Sequence, residues 1–294
     1  MVPTIAGAGY HRAMFEMARL LVPMVLAVVA VVAIDRVATL RGLQLPGLRP
    51  VGAPGWMARR ALGLGALGVA LYLGVFAPLG ALGVEIEPDW SAVPPARLFA
   101  LHAVFAVALA LYLGAGLSVV EGRRSLGRLA RLGAQQLGLA TARPAREVGI
   151  GVACGLLGWV AVIVLLSLLA LGALAIGFEG AVPEHPPAMI VWLAALPWGV
   201  RLAVSLSAGL VEEAFFRGLL QPRVGIGASS LLFVLAHAGY GQPLLLIGVT
   251  LLSLGFAALT RWRRTIWAAI AAHALFDAVQ LLVIIPLAIE TLES

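Results

Sequence analysis

Two adjacent glutamates and an arginine occur inside an apolar stretch of this sequence, residues 210–220, which reads LVEEAFFRGLL. The ionisable residues are Glu212, Glu213 and Arg217. Such side chains are strongly disfavoured at membrane depth unless they find partners, and they often mark functional sites. The stretch therefore predicts that polar partners exist elsewhere in the chain.

Three polar side chains of suitable types lie in later apolar stretches. His237 ends the segment FVLAH, and His273 and Asp277 bracket the segment HALFD. A desolvated glutamate is a workable general base, and a nearby histidine can hold or share the proton of a water molecule. A second histidine with a side-chain donor can stabilise a tetrahedral oxyanion. Together these residue types indicate amide hydrolysis by activated water, without a covalent nucleophile.

The spacing of these residues places them on shared helix faces. Glu213 and Arg217 are four residues apart, and so are His273 and Asp277, so that each pair can lie on one face of a helix. Glu212 points about 100° away from Glu213 around the helix axis. We therefore expect Glu212 to face a cavity while Glu213 holds Arg217.

Other catalytic patterns are missing from the sequence. Neither G-x-S-x-G nor H-E-x-x-H occurs, which argues against a serine nucleophile elbow and a zincin site. A divalent metal such as Zn²⁺ remains an alternative, because two histidines and carboxylates could supply three ligands and leave one position open. The candidate ligands are Glu212, His237, His273 and Asp277.

Several conspicuous residues are better explained by packing. Residues 63–68, GLGALG, have the spacing of a dinucleotide loop but follow no predicted strand, so we interpret these glycines as helix contacts. We interpret Gly151 and Gly155 in the same way. Cys154 is the single cysteine, and we expect it to be a small apolar side chain. His102 is alone in its apolar stretch, and we expect it to be a helix-packing histidine.

The composition identifies a polytopic membrane protein. Of 294 residues, 62% are hydrophobic and 12% are charged, whereas soluble domains are about half apolar and one quarter charged. We predict an all-α bundle of about eight transmembrane helices with a polar cavity among the C-terminal ones. The predicted spans are 15–34, 61–84, 97–120, 147–176, 200–220, 226–240, 243–260 and 265–289. Prolines bracket residues 186–197, which we expect to form an interfacial or re-entrant piece.

Charge predicts the orientation of the bundle. The connections at 35–60 and 121–146, and those after the fifth and seventh spans, are rich in arginine, whereas those at 85–96 and 177–188 are acidic. The positive-inside rule assigns the arginine-rich connections to the cytoplasm and both termini to the outside. The same rule explains the basic residues without a nucleic-acid partner.

The candidate catalytic side chains are expected at similar depths in the membrane. Counted inward at ~1.5 Å per residue from the arginine-rich connections, Glu212 and His237 lie ~15 Å deep, and His273 and Asp277 lie ~12 and ~18 Å deep. Polar groups on three helices at one depth predict a shared site.

The chain divides at its longest basic connection. We predict an N-terminal three-helix part, residues 1–146, and a C-terminal catalytic part, residues 147–294. Residues 125–138 show leucine and arginine at helical spacing, which predicts an amphipathic helix on the inner leaflet. No internal repeat is found, which counts against a proton-coupled transporter that would use Glu212 as a relay.

The order EExxxR, FxxxH, Hxxx(N/D) resembles the CPBP family (CAAX protease and bacteriocin-processing, also called Abi), which includes the type II CAAX prenyl endopeptidases. Here the motifs are Glu212 to Arg217, Phe233 to His237 and His273 to Asp277. The resemblance covers about residues 203–283. It implies a multi-helix membrane fold with a cavity open to the cytoplasm and the adjacent lipid.

The resemblance also implies roles for the residues. Glu212 and His237 would activate the water, Glu213 and Arg217 would brace the site, and His273 and Asp277 would line the oxyanion side. Family members have been described both as metalloproteases and as metal-free glutamate proteases. The last position is more often Asn, and an ionised Asp277 cannot donate a hydrogen bond, so it must be protonated, orient His273 or bind a metal.

Two classes of function follow. The first is an intramembrane endopeptidase acting on a membrane-associated peptide or lipidated protein in a bacterial cytoplasmic membrane, with its site opening to the cytoplasm. The alternative is a non-catalytic scaffold or self-immunity protein that keeps the same polar network for structure. The expected partners are the lipid bilayer and such a substrate.

Overall fold

The computed structural model describes residues 5–49, 55–81, 89–121, 126–178, 187–240 and 242–293, and these residues form helices joined by turns. The predicted all-α membrane bundle is confirmed. The helices, in chain order, are α1 Ile5–Leu40, α2 Trp56–Leu71, α3 Arg97–Glu121, α4 Leu126–Gln136, α5 Pro144–Ala175, α6 Ala188–Ala195, α7 Trp198–Glu213, α8 Gln221–Val224, α9 Ile226–Ala236, α10 Pro243–Arg263, α11 Trp267–Val279 and α12 Ile285–Glu293. Three π segments continue helices without a break: Tyr72–Phe76 after α2, Ala214–Leu220 between α7 and α8, and Gln280–Ile284 between α11 and α12.

The number of membrane spans is close to the prediction. Within the described residues, six helices are long and apolar enough to cross a membrane, and a bent pair can add a seventh. That pair consists of α6 and the continuous helix from Trp198 to Val224, which meet at 114°. Pro197 caps α7 and cannot continue the hydrogen bonds of α6, which explains the break predicted at 186–197. The predicted span 226–240 is the short helix α9, whose 11 residues cover only ~16 Å.

Helix α11 lies at the centre of the C-terminal helices, where it packs against α5, α7 and α10. Small residues make these contacts close. A Cβ added to Gly155 would lie 2.8 Å from the Cα atom of Ala272, and one added to Gly151 would collide with the carbonyl oxygen of Ala268. The packing interpretation of Gly151 and Gly155 is thus confirmed, because larger side chains would push α5 away from α11.

One apolar core joins the N-terminal and C-terminal parts of the chain. The ring of Phe105 on α3 stacks on Phe215, with centroids 4.4 Å apart, and meets Phe216 edge-on at 5.7 Å. All three rings are almost fully buried. The N-terminal helices therefore form part of the wall against which the EExxxR segment packs.

The arginine-rich connections meet at one end of the bundle, which we call the arginine-rich end; it comprises residues 41–49, 126–146, 221–226 and 260–267. Arg41 donates to the carbonyl oxygen of Arg223 over 3.1 Å. Thr265 Oγ1 donates to the carbonyl oxygen of Gly138 over 2.8 Å. These cross-links hold connections that are distant in sequence on the same side of the molecule.

A second group of segments meets at the other end, which we call the opposite end; it comprises residues 77–81, 89–98, 187–201, 238–240, 242–243 and 280–293. The rings of Trp90 and Trp192 lie 5.5 Å apart, and Arg201 donates to the carbonyl oxygen of Leu281 over 2.9 Å. Asp89 of the connection 85–96 belongs to this end, whereas Glu85, Glu87, Glu179 and Glu184 lie outside the described residues.

Candidate active site

The EExxxR segment lies where an α-helix becomes a π-helix. Glu212 and Glu213 are the last residues of α7, and Arg217 lies in the π segment Ala214–Leu220. π segments are rare and occur often at functional sites. Glu213 is fully buried and Glu212 is 8% exposed, so both carboxylates are removed from bulk water.

Glu212 lies between two imidazole rings. Its Oε2 atom is 3.9 Å from Nε2 of His237, and its Oε1 atom is 3.6 Å from Nε2 of His102. Both separations exceed a good hydrogen bond, and Oε2 is buried without a hydrogen-bond partner in the described part of the chain. The carboxylate is therefore available to accept a proton.

The backbone and a serine orient the two rings. His237 Nδ1 lies 2.8 Å from the carbonyl oxygen of Phe233 and donates to it, so that Nε2 is the atom of the ring that faces Glu212 and, when the ring is neutral, carries its lone pair. His102 Nδ1 lies 2.8 Å from Oγ of Ser207, whose hydroxyl donates to the carbonyl oxygen of Val204 over 3.0 Å. His102 then donates to Ser207, and its Nε2 also faces Glu212 with a lone pair.

A water molecule fits the space between these acceptors. A carboxylate oxygen and a neutral Nε2 repel each other unless a donor lies between them, and one water can donate to both. Glu212 Oε2 and His237 Nε2 lie 3.9 Å apart, so a water that donates to both would lie beside the line that joins them. The pair can therefore orient a water molecule and remove its proton.

Glu213, Arg217, His273 and Asp277 form a second cluster behind the first. His273 Nδ1 donates to Glu213 Oε1 over 2.9 Å, and Arg217 Nε lies 3.3 Å from Glu213 Oε2. On its other side, His273 Nε2 lies 3.5 Å from Asp277 Oδ2. Glu213 therefore fixes His273 as well as Arg217, a contact between α7 and α11 that the sequence spacing did not reveal.

Arg217 ties the π segment to neighbouring helices. Its Nη2 donates to the carbonyl oxygen and the hydroxyl of Ser253, over 3.1 and 3.2 Å. Its guanidinium lies 4.3 Å from the ring centroid of Phe233 on α9. A buried guanidinium with an ion pair, hydrogen bonds and an aromatic face is stabilised by all three. Arg217 thus braces Glu213 from α9 and α10.

Glu212 and its partners line a cavity of about 370 Å³. His102, His237, His273 and Asp277 share this cavity with Glu212, whereas Glu213 and Arg217 lie behind its wall. The rest of the described lining is mostly apolar. Polar groups converging in an apolar cavity are typical of a binding or active site.

A zinc site does not fit this arrangement. Ligand atoms of one tetrahedral zinc lie roughly 3.3 Å from each other, because each is ~2.0–2.1 Å from the metal. Glu212 is 3.9 Å from His237 and 3.6 Å from His102, and the described residues contain no group of three or more His, Cys, Asp or Glu side chains that could hold a metal ion. We therefore derive no step through a metal.

All six residues selected from the sequence lie in these two clusters, and the structure adds two more. His102 is not the isolated packing histidine that we expected, because it faces Glu212 and lines the cavity. Ser207, which orients His102, was not selected at all. An ionisable residue within a span was a signal for His102. Its partner was hidden because the sequence does not tell which helices pack together.

Comparison with known proteins agrees with these motifs. Residues 192–279 match the family described as Type II CAAX prenyl endopeptidase Rce1-like. The match supports the CAAX protease and bacteriocin-processing family for this region and confirms the resemblance carried by the motifs. It includes α7 to α11 but ends before α12 and excludes α3, which bears His102.

One relative comes from Bacillus subtilis (strain 168) and is named Uncharacterized protein YpbD. It is 34% identical over 77 residues, which are 26% of this chain and 41% of the relative. The chain thus aligns with less than half of that protein. No solved structure matches the chain.

Proposed function

We propose that this protein is an intramembrane endopeptidase that hydrolyses a peptide bond of a membrane-associated substrate with water activated by Glu212. The observation that carries the proposal is the position of the buried Glu212 carboxylate between two imidazole Nε2 atoms that line the same cavity. The family match over residues 192–279 supports the same class of reaction.

The first step is attack by water on the scissile carbonyl carbon. Glu212 accepts one proton of the water while Nε2 of His237 accepts a hydrogen bond from the other, which orients the oxygen lone pair towards the substrate. A C–O bond forms, and the carbonyl π electrons move to the oxygen, which becomes the oxyanion. His102 Nε2 lies 3.6 Å from the other oxygen of Glu212.

The second step is collapse of the tetrahedral intermediate. The C–N bond breaks, the proton held by Glu212 passes to the leaving nitrogen, and a carboxylic acid and an amine result. His273 would stabilise the oxyanion as an imidazolium, in which Nδ1–H donates to Glu213 and Nε2–H is directed towards Asp277 and the cavity. In this scheme Asp277 orients His273, one of the three roles open to an aspartate at this position.

The substrate class follows from the cavity and the membrane. The lining is apolar apart from the residues of the two clusters and Gln280, which suits a hydrophobic segment of a membrane-associated peptide. A lipidated protein is one such substrate, by analogy with the family's name. We place the protein in a bacterial cytoplasmic membrane, with its arginine-rich end in the cytoplasm, on the strength of the charge pattern.

The test replaces Glu212 by Gln, which keeps the shape of the side chain but removes the base. We expect Glu212→Gln to lower cleavage by roughly 10²-fold or more, since general bases contribute 10²–10⁴-fold. The readout is the set of new protein N-termini found by mass spectrometry in membranes that express the wild type. Glu290→Gln is the matched control, because Glu290 is exposed on α12, far along the chain from both clusters.

Thermal unfolding in detergent separates catalysis from folding. We expect Glu212→Gln to unfold near the wild-type temperature while the new N-termini disappear. Cleavage that persists in a folded Glu212→Gln protein would refute the proposal. If the wild type and every variant give the same N-termini as empty membranes, the scaffold alternative is favoured instead.

A further inference from the structure

The side chains of the π segment, which lies between the glutamate pair and the arginine-rich end, are buried. Five residues of the π segment have relative exposures of 0 or 1%: Phe215, Phe216, Arg217, Leu219 and Leu220. Gly218 also fits closely, because a Cβ there would lie 2.9 Å from the carbonyl oxygen of Leu137. About two turns of helix separate Glu212 from the arginine-rich end. A pocket of about 440 Å³ at that end reaches Arg217 and Gly218, but its described lining does not include Glu212.

From Glu212 the cavity extends away from the arginine-rich end, towards the opposite end, where it has its mouth. On α7 its walls are Val204 and Ala208, which precede Glu212, and beyond α11 they are Gln280 and Leu281, which follow Asp277. The remaining wall residues near the mouth occur at the start of α3 and α10, on α6 and on α12: Leu98, Leu245, Met189, Ile190 and Ile285. All of these belong to or adjoin the opposite end defined above.

Side-chain exposure changes along the catalytic clusters in the same direction. The side chain of Glu213 is 0% exposed and that of His273 is 6% exposed. Asp277, one turn further towards the opposite end, is 29% exposed. The clusters are therefore most accessible on the side of Asp277.

We infer that the catalytic cavity takes its substrate from the extracytoplasmic side of the membrane. The arginine-rich end is cytoplasmic by the positive-inside rule, and the mouth of the cavity is at the opposite end. That a substrate enters this cavity rests on the proposed peptidase function, whereas the position of the mouth is independent of it. It differs from the cytoplasmic opening that the family resemblance implies.

The chemistry of the mouth defines the substrate class more closely. The described lining contains no arginine, and the described residues at the mouth are apolar except for Gln280. Arg201 donates to the carbonyl oxygen of Leu281 beside the mouth but does not line the cavity, and a free C-terminal carboxylate would meet Glu212 and Asp277 deeper in it. The substrate is therefore an uncharged, apolar segment of a chain that has crossed, or is crossing, the membrane.

A matched pair of cysteine variants tests the side of entry. The single native cysteine is first removed as Cys154→Ala. Gln280→Cys then marks the mouth of the cavity, and Gln136→Cys marks the arginine-rich end, where Gln136 is exposed. A charged, membrane-impermeant maleimide is added to right-side-out and to inverted membrane vesicles, and labelling is measured by mass spectrometry.

We expect Gln280→Cys to be labelled in right-side-out vesicles and protected in inverted ones, and Gln136→Cys to show the reverse. Labelling of Gln280→Cys in inverted vesicles only, or of both positions from one side, would overturn the inference. Failure of Gln280→Cys to label in either kind of vesicle would also overturn it, provided that detergent-solubilised protein labels fully. The labelling measurement needs no substrate. It can therefore refute the side of entry while the peptidase proposal stands, and the peptidase proposal can be refuted while the side of entry stands.

An activity arm tests entry itself. The vesicles for this test also contain a membrane protein that the wild type cleaves. Labelling of Leu98→Cys from outside should block that cleavage by filling the mouth, because Leu98 lines it. The same reagent on Gln136→Cys in inverted vesicles should leave cleavage unchanged. Undiminished cleavage by fully labelled Leu98→Cys would show that substrate enters elsewhere.

Discussion

The two glutamates of the EExxxR motif have different partners, and this difference assigns their roles. Glu212 faces the cavity between His102 and His237, at distances that leave its carboxylate without a strong hydrogen bond. Glu213 is fully buried and is held by Arg217 and His273. A base must be able to exchange a proton, whereas a bracing residue must not move. Glu212 suits the first role and Glu213 suits the second.

His102 gives the most direct prediction at the scale of single residues. We expect His102→Gln to lower the cleavage rate by roughly 10²-fold, because it removes an imidazole that faces the catalytic carboxylate. Ser207→Ala should have a smaller effect, since it only frees the ring of His102 to rotate. Rates are compared with thermal unfolding temperatures for both variants. A folded His102→Gln protein with the wild-type rate would place His102 outside the mechanism.

Asp277 occupies a position that is more often Asn in the family that the motifs resemble. Its contact with His273 predicts how substitutions of Asp277 change the cleavage rate. An amide oxygen can accept from His273 as the carboxylate does, so we expect Asp277→Asn to keep the rate within about tenfold. Asp277→Ala loses the contact and should fall further. Equal losses in the Asn and Ala variants would show that the charge of Asp277, rather than its contact with His273, is needed.

Metal removal is a third test at this scale. Because the described acidic and histidine side chains do not form a group of three metal ligands, we expect dialysis against a strong chelator to leave the cleavage rate unchanged. Elemental analysis of the dialysed protein verifies that any bound metal was removed. A rate that falls on dialysis and returns with zinc would restore the metal alternative.

Glycines control helix packing at the scale of elements. α5 approaches α11 so closely that a Cβ on Gly155 would lie 2.8 Å from the backbone of Ala272. Gly149, on the same helix, has nothing within 4 Å of the same position. One helix therefore offers a contact glycine and a matched free one.

We expect Gly155→Ala to destabilise the protein by about 1–3 kcal/mol, the usual cost of overpacking. Gly149→Ala should be neutral or slightly stabilising, because alanine favours the helix by up to ~1 kcal/mol. Thermal unfolding in detergent measures both. Because α11 carries His273, Gly155→Ala should also slow cleavage. Equal stability of the two variants would mean that α5 and α11 are further apart than described.

The π segment after α7 is the second important element. It places Arg217 between Ser253 on α10 and Phe233 on α9 while keeping Glu213 within reach of its guanidinium. Several helices thereby fix one buried carboxylate. This explains why a costly cluster of charges persists at membrane depth: Glu212, Glu213 and Arg217 each have a partner on another helix.

The N-terminal and C-terminal parts cooperate at the scale of the whole molecule. The predicted boundary at residue 146 remains a prediction, but the cavity uses His102 and Leu98 from the N-terminal part. Phe105 packs against Phe215 and Phe216 across the same boundary. The C-terminal part alone therefore lacks a wall of its own site.

Expression of residues 147–294 alone tests this dependence. We expect the fragment to show no cleavage, and to aggregate or be degraded, because the aromatic contacts with Phe105 are lost. Coexpression with residues 1–146 as a separate chain should restore cleavage if the two parts assemble in the membrane. A stable, active C-terminal fragment would show that His102 and the first three spans are dispensable.

The sequence by itself determined the class of protein and most of the site. Long apolar stretches must become helices in lipid, because no other regular structure satisfies the backbone of a single segment there. Ionisable residues are so costly at that depth that their presence in an apolar stretch is by itself a signal of function. That signal selected Glu212, Glu213, Arg217, His237, His273 and Asp277. Spacing along a helix then gave the pairs Glu213–Arg217 and His273–Asp277, because i,i+4 contacts depend on helix geometry alone.

Only the tertiary structure decided which helices meet. The contact of His102 with Glu212, the bond from His273 to Glu213 and the direction of the cavity all join residues that are far apart in the chain. Helix packing in a membrane rests on shape and close approach rather than on hydrophobic pattern, because lipid and helix surfaces are equally apolar. The sequence therefore identifies the ionisable residues of the stretch LVEEAFFRGLL as candidates for chemistry. The fold determines their partners and the side from which a substrate reaches them.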